Sequence, residues 1–151
     1  MFLPKDTFKK VIASTPLISI DLVVTNSLGQ VLLGYRNNKP AQGYWFVPGG
    51  RILKDEKKND AFFRLVKDEL GLSLVIQDAK FQGVYEHFYD DYVFGNDIST
   101  HYVVLAYQLC VDISLDDLPN IQHSQYKWFT ASELLESENV HLHSKWYLQN
   151  N

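Results

Sequence analysis

The stretch that decides the fold spans residues 50–72 and has the sequence GRILKDEKKNDAFFRLVKDELGL. Apolar residues recur in it at spacings of three and four, which predicts an amphipathic helix over residues 56–70. The apolar stripe of this helix consists of Ala61, Phe62, Leu65, Val66 and Leu70. Asp55 suits the start of the helix, and Gly71 suits the position after its last turn. The stretch therefore predicts a glycine turn that leads into one helix with a single buried face.

The last turn of this predicted helix carries two acids, Asp68 and Glu69. Acids there meet the negative pole of the helix, which costs about 0.3–1 kcal/mol unless a cation compensates them. Glu69 follows Phe62 by seven residues and therefore borders the buried stripe. A carboxylate beside a glycine loop offers the hard oxygen ligands that Mg²⁺ prefers. A solvated charged helix end near Lys67 is the alternative, and charge alone leaves it open.

Strands are predicted on both sides of this helix. They span residues 16–26, 31–36, 44–47, 73–88, 101–111 and 125–129. In the first strand, one face carries Ile18, Ile20, Leu22 and Val24, and a polar-tolerant face carries Ser19, Asp21, Val23 and Thr25. A turn signal at residues 26–29 predicts that residues 16–36 form a hairpin, and Pro-Gly-Gly at residues 48–50 is expected to end the third strand.

Two further helical segments complete the pattern. Residues 4–13 predict a short helix, and the capping box of Thr130 and Glu133 predicts another that begins there. Strands around one central helix, with helices at both ends of the chain, predict an α+β fold with a mixed sheet sandwiched between helices. At 151 residues, one domain over residues 1–151 is expected.

Composition restricts the possible functions. Hydrophobic residues make up 46% of the chain and charged residues 21%, which is typical of a globular protein. Cys110 is the single cysteine, so a disulfide framework or a multi-cysteine zinc site is excluded. The net charge of −4 argues against a nucleic-acid partner, because such a partner needs a basic face. Without a membrane span or a secretory leader in the sequence, a cytoplasmic location is expected.

The spacing of residues 50–72 resembles the Nudix box. The positions in register are Gly50, Glu56, Arg64, Val66, Glu69, Gly71 and Leu72. Two positions depart from the pattern, because Leu65 and Asp68 stand where the family has glutamates that hold metal ions and help to activate water. Leu65 cannot ligate a metal, so the usual attack of metal-bound water at phosphorus is in doubt. In this comparison Glu69 is the remaining carboxylate ligand, and Glu56 and Arg64 form a structural pair.

Segments outside the box resemble one branch of the family, which hydrolyses GDP-mannose. These segments are residues 14–17, 40–51, 87–91, 100–104 and 122–123, and the resemblance extends over residues 1–147. It implies that water attacks the anomeric carbon with inversion and releases GDP and the free sugar. GDP-glucose is a possible second substrate. A leaving GDP needs charge stabilisation and a base at carbon, which one metal ion and a neutral imidazole supply.

The resemblance also implies how the metal and the attacking water are held. The metal is one Mg²⁺ per subunit, for which Mn²⁺ can substitute. Its implied ligands are the Gly49 carbonyl, Glu69, Gln122 and the pyrophosphate. His123 is the implied general base, and an unperturbed imidazole with a pKa of about 6.5 is mostly neutral at pH 7.

Further roles concern the nucleotide sugar itself. Arg36 and Arg51 are expected to bind the pyrophosphate, a task that suits forked and permanently charged donors. The residues implied around the sugar and the leaving group are Asp21, His87 and Tyr102. The residues implied at the nucleotide are Phe2, Leu3 and Phe8, in a homodimer in which the first residues can reach the partner.

Several alternatives stay open at this point. The chain can instead attack phosphorus and give GMP and sugar 1-phosphate, or it can be a Nudix module that binds without catalysis. Asp21 can be merely exposed and Tyr102 can be a core residue, and Phe8 can simply seal a helix against the sheet. His101, His141 and His143 are expected at the surface.

Overall fold

The computed structural model describes residues 3–119 and 123–149, and it describes residues 123 and 124 by their backbone only. The helices are α1 (Lys5–Ser14), α2 (Lys58–Leu70), α3 (Ala131–Glu136) and α4 (Leu142–Gln149). The strands are β1 (Leu17–Thr25), β2 (Val31–Arg36), β3 (Trp45–Phe46), β4 (Gly49–Arg51), β5 (Lys80–Tyr89), β6 (Thr100–Cys110) and β7 (His123–Phe129). Single turns of 3-10 helix lie at Ile76–Asp78 and Leu115–Asp117.

The strands form one mixed sheet, in which β1 and β6 are parallel and the other pairs are antiparallel. Its main path runs β3-β2-β1-β6-β5, with β4 paired to β1 and β7 paired to β2. The parallel pair is in register from Leu17 opposite Tyr102 to Thr25 opposite Cys110. The predicted α+β class with a mixed sheet is confirmed.

Helices pack on both faces of this sheet. Ile20, Leu22 and Val24 of β1 lie in one core cluster with the apolar stripe of α2. Val23 belongs to a second cluster, which contains Leu134 of α3 and Tyr147 of α4. Because neighbouring residues of a strand point to opposite faces, the two clusters lie on opposite sides of the sheet. The expected sandwich of a sheet between helices is therefore observed.

The predicted hairpin over residues 16–36 is only partly correct. β1 and β2 pair next to the turn, where Thr25 lies opposite Val31. Beyond that point the strands separate, because β4 occupies the edge of β1 and β2 pairs with β3 and β7 instead. Strand β4, which contains Gly49 and Gly50, therefore pairs with the part of β1 that β2 leaves unpaired.

The third strand ends before residues 48–50, as predicted, although Gly49–Arg51 then form a further short strand, β4. Two local predictions are wrong. The strand predicted from residue 73 begins only at Lys80, after a 3-10 turn. Asp55 does not cap α2: it has a left-handed φ of 64°, and Lys57 occupies the cap position without a side-chain hydrogen bond. Gly71 ends α2 in the left-handed conformation, as predicted.

Candidate active site

A cavity of about 330 Å³ opens beside the junction of β1 and β4. Its lining brings together seven residues that the sequence analysis assigned to the site: Phe8, Asp21, Arg36, Gly49, Arg51, His87 and Tyr102. These residues come from six different elements and span 95 residues of the chain, from Phe8 to Tyr102. Their convergence on one cavity is the central geometric fact of the structure.

The close approach of β4 to β1 fixes one wall of the cavity. Asp21 lies opposite Gly49 and Ile20 lies opposite Gly50 in this pairing. A Cβ atom on Gly49 would lie 2.4 Å from the Ile20 carbonyl oxygen and 2.6 Å from Oδ1 of Asp21. Only glycine fits at this position, because any side chain would push the two strands apart. The glycine therefore sets the Asp21 carboxylate directly against the backbone of β4.

Glu69 approaches the glycine segment from α2, behind Gly49, and is not among the residues that line the cavity. Its side chain is only 2% exposed, as expected for a residue that borders the buried stripe. Its Oε1 accepts a hydrogen bond of 3.2 Å from the backbone N–H of Gly49. The charge of Glu69 also acts on Tyr126 of β7. Burial, and to a smaller extent this charge, raises the pKa of Tyr126 to about 12. Helix α2 thus delivers a buried carboxylate to the glycine segment.

This arrangement suits a hard cation. A buried carboxylate and a glycine strand with backbone carbonyls are oxygen donors of the kind that Mg²⁺ takes, with its other positions left to water and phosphate. Within the described part of the chain, no three His, Cys, Asp or Glu side chains come together as metal ligands. A cation at Glu69 would therefore rely on neutral oxygens as well. The expected ligand Gln122 lies outside the described residues.

Glu56 and Arg64 hold the loop that follows β4. The Arg64 guanidinium donates to both carboxylate oxygens of Glu56, at 2.7 and 3.0 Å, and to the Arg51 carbonyl at 2.8 Å. Glu56 also accepts from the backbone N–H of Leu53. The hydrogen bonds from Arg64 lower the pKa of Glu56. The predicted structural pair is present, and it anchors the backbone of Arg51.

Two arginines face the cavity, each beside an aromatic ring. The Arg51 guanidinium carbon lies 4.7 Å from the centre of the Phe8 ring, and that of Arg36 lies 5.7 Å from the centre of the Phe46 ring. Such cation–π contacts hold a guanidinium over a ring and leave its edge free to donate. The two cations give the cavity a positive patch that suits a phosphate group.

Asp21 belongs to a buried hydrogen-bonded group. The Tyr147 hydroxyl donates to Oδ2 of Asp21, and it lies 3.3 Å from Nε2 of His87. Burial raises the pKa of Asp21 to about 7, although the Tyr147 hydrogen bond and the charge of Arg36 act in the opposite direction. The alternative that Asp21 is merely exposed is therefore wrong. The polar-tolerant face of β1 is the floor of the cavity.

The prediction that His143 lies at the surface is wrong. Its side chain is buried, and its ring stacks on that of His87 with the centres 4.2 Å apart. Burial, followed by the neighbouring imidazoles, lowers the pKa of His143 to about 3. His141 is half-buried and stacks on Phe46, so it is not a simple surface residue either. Both rings are held neutral at pH 7.

His101 is the third histidine of that prediction. Its residue is half-buried, its ring stacks on Phe88, and its Nε2 lies 4.0 Å from a Glu86 carboxylate oxygen. It is not among the residues that line the cavity. It therefore belongs to the sheet next to the site and contributes no group to the cavity.

Leu65 fills the place where the box pattern has a glutamate. It is buried in the α2 core cluster, and its Cδ2 would lie 2.5 Å from a Cβ atom on Gly50. The leucine and the glycine thus pack directly together at the edge of the cavity. Asp68 is the second residue that departs from the box pattern. It also lines the cavity, and its Oδ2 lies 3.9 Å from Nη1 of Arg64.

Some of the predicted residues are not tested by the structure. Phe2 lies outside the described residues, as does Gln122, and the side chain of His123 is not described. The backbone of His123 pairs with Arg36, which places that residue at the end of β7 nearest the cavity lining. Leu3 is half-buried and does not line the cavity of its own chain.

The sequence analysis missed four residues of the site: Phe46, Tyr89, His143 and Tyr147. Phe46 and Tyr89 line the cavity, and the other two support His87 from α4. One signal was available, since His143 and Tyr147 are four residues apart and share a face of the terminal helix. No local pattern indicated which partners that face would meet.

The fold and the box residues define a Nudix hydrolase architecture. A NUDIX domain profile matches residues 15–149. The chain belongs to the NUDIX family, and it is accordingly a hydrolase. No helix in the described part of the chain has the length and apolar character that crossing a bilayer requires.

Individual relatives agree with this assignment. The chain is 40% identical over 127 residues to the low-salt glycan biosynthesis protein Agl8 of Haloferax volcanii, covering 84% of this chain and 79% of that protein. Its fold is similar to that of a MutT protein from Methanosarcina mazei, with a TM-score of 0.72, 20% identity and coverage of 90% and 93% of the two chains. The NUDIX domain of Shewanella oneidensis NrtR, solved with ADP ribose, has a TM-score of 0.66 at 17% identity and 97% coverage of both chains.

Proposed function

We propose that this protein is a GDP-mannose mannosyl hydrolase, which cleaves the bond between the sugar carbon and the phosphate oxygen. One observation carries the proposal: the residues expected to hold the pyrophosphate and those expected to meet the sugar line the same cavity. The products are GDP and the free sugar, with inversion at the anomeric carbon. GDP-glucose remains a possible second substrate.

The α2 side of the cavity suits the pyrophosphate. Arg36 and Arg51 supply fixed positive charge, and the hydrogen bond from Arg64 to the Arg51 carbonyl keeps that segment in place. Mg²⁺, held by Glu69, the Gly49 carbonyl and Gln122, would neutralise charge on the pyrophosphate as GDP departs. Guanidinium groups placed before the reaction act on that charge without reorganising.

The packing of Leu65 favours attack at carbon. Attack at phosphorus in this family relies on box glutamates that bring water and metal together, and here one of those positions is an apolar side chain packed on Gly50. With GDP as the leaving group, a base near the sugar and stabilisation of the departing diphosphate are sufficient. His123 is proposed as that base, because its backbone lies beside Arg36.

The opposite side of the cavity suits a carbohydrate. Asp21 and His87 present polar groups from a largely buried floor, and Tyr102 adds a hydroxyl above β6. Burial lowers the pKa of His87 to about 4, so its ring is neutral at pH 7 and offers one donor and one acceptor. A polar floor of hydrogen-bonding groups beside a positive patch matches a nucleotide sugar, which has an uncharged ring next to a diphosphate.

Two similar proteins point in the same direction. The relative from Haloferax volcanii is named for glycan biosynthesis, and the NrtR domain was solved with ADP ribose, a diphosphate-linked sugar. Both names are consistent with a sugar nucleotide as the ligand of this chain.

The test is a panel of nucleotide sugars incubated with Mg²⁺ in ¹⁸O-water. We expect GDP-mannose to give GDP whose phosphate groups carry no label, with the label in the released sugar. GMP and sugar 1-phosphate, with the label in phosphate, would overturn attack at carbon in favour of attack at phosphorus. Binding without turnover would indicate a non-catalytic module.

We also propose a homodimer. Leu3 is expected at the nucleotide but does not line the cavity of its own chain, which favours a contact from Phe2 and Leu3 across two subunits. Light scattering after size exclusion should give a mass of two chains. A monomer that keeps full activity would contradict this contact.

A further inference from the structure

Helix α4 places one hydroxyl group beneath the cavity, where it touches two of the residues proposed to meet the sugar. Tyr147 is 4% exposed, so its hydroxyl is removed from solvent. It donates to Oδ2 of Asp21 and lies 3.3 Å from Nε2 of His87. Asp21 and His87 lie on different strands, β1 and β5, and Tyr147 links them.

When Asp21 is ionised, the number of available protons fixes the direction of this link. A tyrosine hydroxyl has one proton, and an ionised carboxylate can only accept. The Tyr147 hydroxyl then donates its one proton to Oδ2 of Asp21, and its oxygen can only accept a further hydrogen bond. Nε2 of His87 must then carry the proton that points at Tyr147. The chain of donors runs from His87 through Tyr147 to Asp21.

The same bonds decide what remains for a ligand. Oδ2 of Asp21 accepts from Tyr147, so Oδ1 remains as the second acceptor. Oδ1 lies on the side of Gly49, 2.6 Å from the place that a Cβ atom added to Gly49 would take. With Nε2 of His87 protonated, Nδ1 is the acceptor of a ring that lines the cavity. Oδ1 of Asp21 and Nδ1 of His87 are therefore the two hydrogen-bond acceptors on the floor of the cavity.

We infer that Tyr147 is a positioning residue, whose hydroxyl selects the Nε2–H tautomer of His87 and orients the Asp21 carboxylate so that both accept hydrogen bonds from sugar hydroxyls. This inference rests on the proposed hydrolysis of a nucleotide sugar and deepens it. Tyr147 itself lies behind Asp21 and His87 and does not line the cavity. It acts on the sugar through those two residues and leaves binding of the diphosphate to the arginines.

The test compares Tyr147→Phe with Tyr85→Phe. Tyr85 is a matched control, because its ring packs edge-on against Tyr147 at 4.7 Å while its hydroxyl accepts from Gln82. We expect Tyr147→Phe to lower kcat for GDP-mannose by about 10- to 100-fold, the value of one hydrogen bond to a charged group. Inhibition by GDP should change by less than about twofold, because the arginines are untouched. Tyr85→Phe should keep wild-type kinetics. Equal kcat values in the two variants would overturn the inference.

A spectroscopic measurement separates this role from a merely structural one. Nitrogen-15 chemical shifts of the histidine side chains at pH 8 report which ring nitrogen carries the proton. We expect Nε2–H at His87 in the wild type and in Tyr85→Phe, and a mixture of tautomers in Tyr147→Phe. Nδ1–H at His87 in the wild type would overturn the inference even if Tyr147→Phe failed to fold.

The two proposals can fail separately. A wild-type protein that leaves every nucleotide sugar intact would overturn the proposed function and with it the catalytic consequence of Tyr147. The tautomer of His87 would still show whether the donor chain exists. Normal turnover with an unaffected Tyr147→Phe variant would instead leave the proposed function standing and remove Tyr147 from it.

Discussion

The cavity has two walls that are built in different ways. The α2 wall consists of Gly49, Arg51 and Arg64, supported from behind by Glu56 and Glu69, and its ion pair and backbone hydrogen bonds join residues close together in the chain. The α4 wall consists of Asp21 and His87, supported from behind by His143 and Tyr147 of α4, and its hydrogen bond between Asp21 and Tyr147 joins residues 126 positions apart. One wall is a local motif and the other exists only in the folded chain.

This difference has a chemical counterpart. The α2 wall carries permanent charges and a carboxylate, which suit a metal and a diphosphate. The α4 wall carries neutral imidazoles and hydroxyl groups, because burial lowers the pKa of His87 to about 4 and that of His143 to about 3. The local motif thus supplies the charged groups, and the distant helix α4 supports the neutral hydrogen-bonding groups.

The largest expected effect is on the α2 wall, at Glu69. Glu69→Gln keeps the shape of the side chain and removes its charge, so kcat should fall roughly 100- to 1,000-fold at low Mg²⁺ because the metal loses its carboxylate. Titrating activity against Mg²⁺ measures the change. Asp60→Asn, on an exposed position in the first turn of α2, serves as the control and should behave like the wild type. Equal Mg²⁺ dependence in the two variants would contradict the metal assignment.

A smaller effect is expected from the glycine that joins the two walls. In Gly49→Ala the new methyl group meets the Ile20 carbonyl and the Asp21 carboxylate, so β4 must shift. We expect a loss of about 1–3 kcal/mol in the free energy of unfolding, and roughly 100-fold in kcat from the displaced backbone. Chemical denaturation and initial rates measure these two quantities.

Gly29→Ala is the matched control for this variant. Gly29 has a left-handed φ of 75° and no atom within 4 Å of the added methyl group. It should cost about 1–2 kcal/mol of backbone strain and leave kcat unchanged. If Gly49→Ala kept full activity, the close approach of β1 and β4 would not matter to the reaction.

The smallest expected effect concerns the α4 wall and appears only in acid. The pKa of His143 is lowered to about 3 by burial and then by His87 and His141, against 6.5 for an ordinary histidine. As pH falls through 6.5, His143 binds a proton in the unfolded chain but stays neutral in the folded chain. The contribution of His143 to the free energy of unfolding is therefore complete above that pH and decreases below it. His143→Asn should recover about 1–2 kcal/mol of this decline between pH 7 and 5.

Denaturation curves at several pH values measure this recovery. Leu142→Asn changes an exposed neighbour and should keep the wild-type decline. If His143→Asn lost stability with pH as steeply as Leu142→Asn, the burial of a neutral imidazole would not be the cause.

The same two walls mark how far the sequence predicts the molecule. The stripe of α2, its end at Gly71 and the position of Glu69 beside the stripe follow from spacings within 23 residues. The pairing of Glu56 with Arg64 was implied by the resemblance of the same stretch to the Nudix box. Strand β4 was missed because Gly49-Gly50 has the composition of a turn, and only the partner strand β1 makes it part of the sheet. Local pattern is sufficient where neighbours in sequence are neighbours in space.

Prediction failed where contacts are remote. His143 was expected at the surface because a lone histidine in a loop is usually a surface residue, yet it lies in α4 and packs against His87 from β5. The seven predicted residues that meet in the cavity were assigned through resemblance, since periodicity places them on strands and loops without showing that these converge. Asp21 illustrates the point, because its polar face meets the cavity and not the solvent.

The hydrogen bond between Asp21 and Tyr147 joins the first strand to the last helix. Both partners of this bond exist only after residues 21–147 have been synthesised. Under the proposed function, a chain cut before α4 keeps the arginines expected to bind the diphosphate and lacks the hydroxyl group that positions Asp21 and His87.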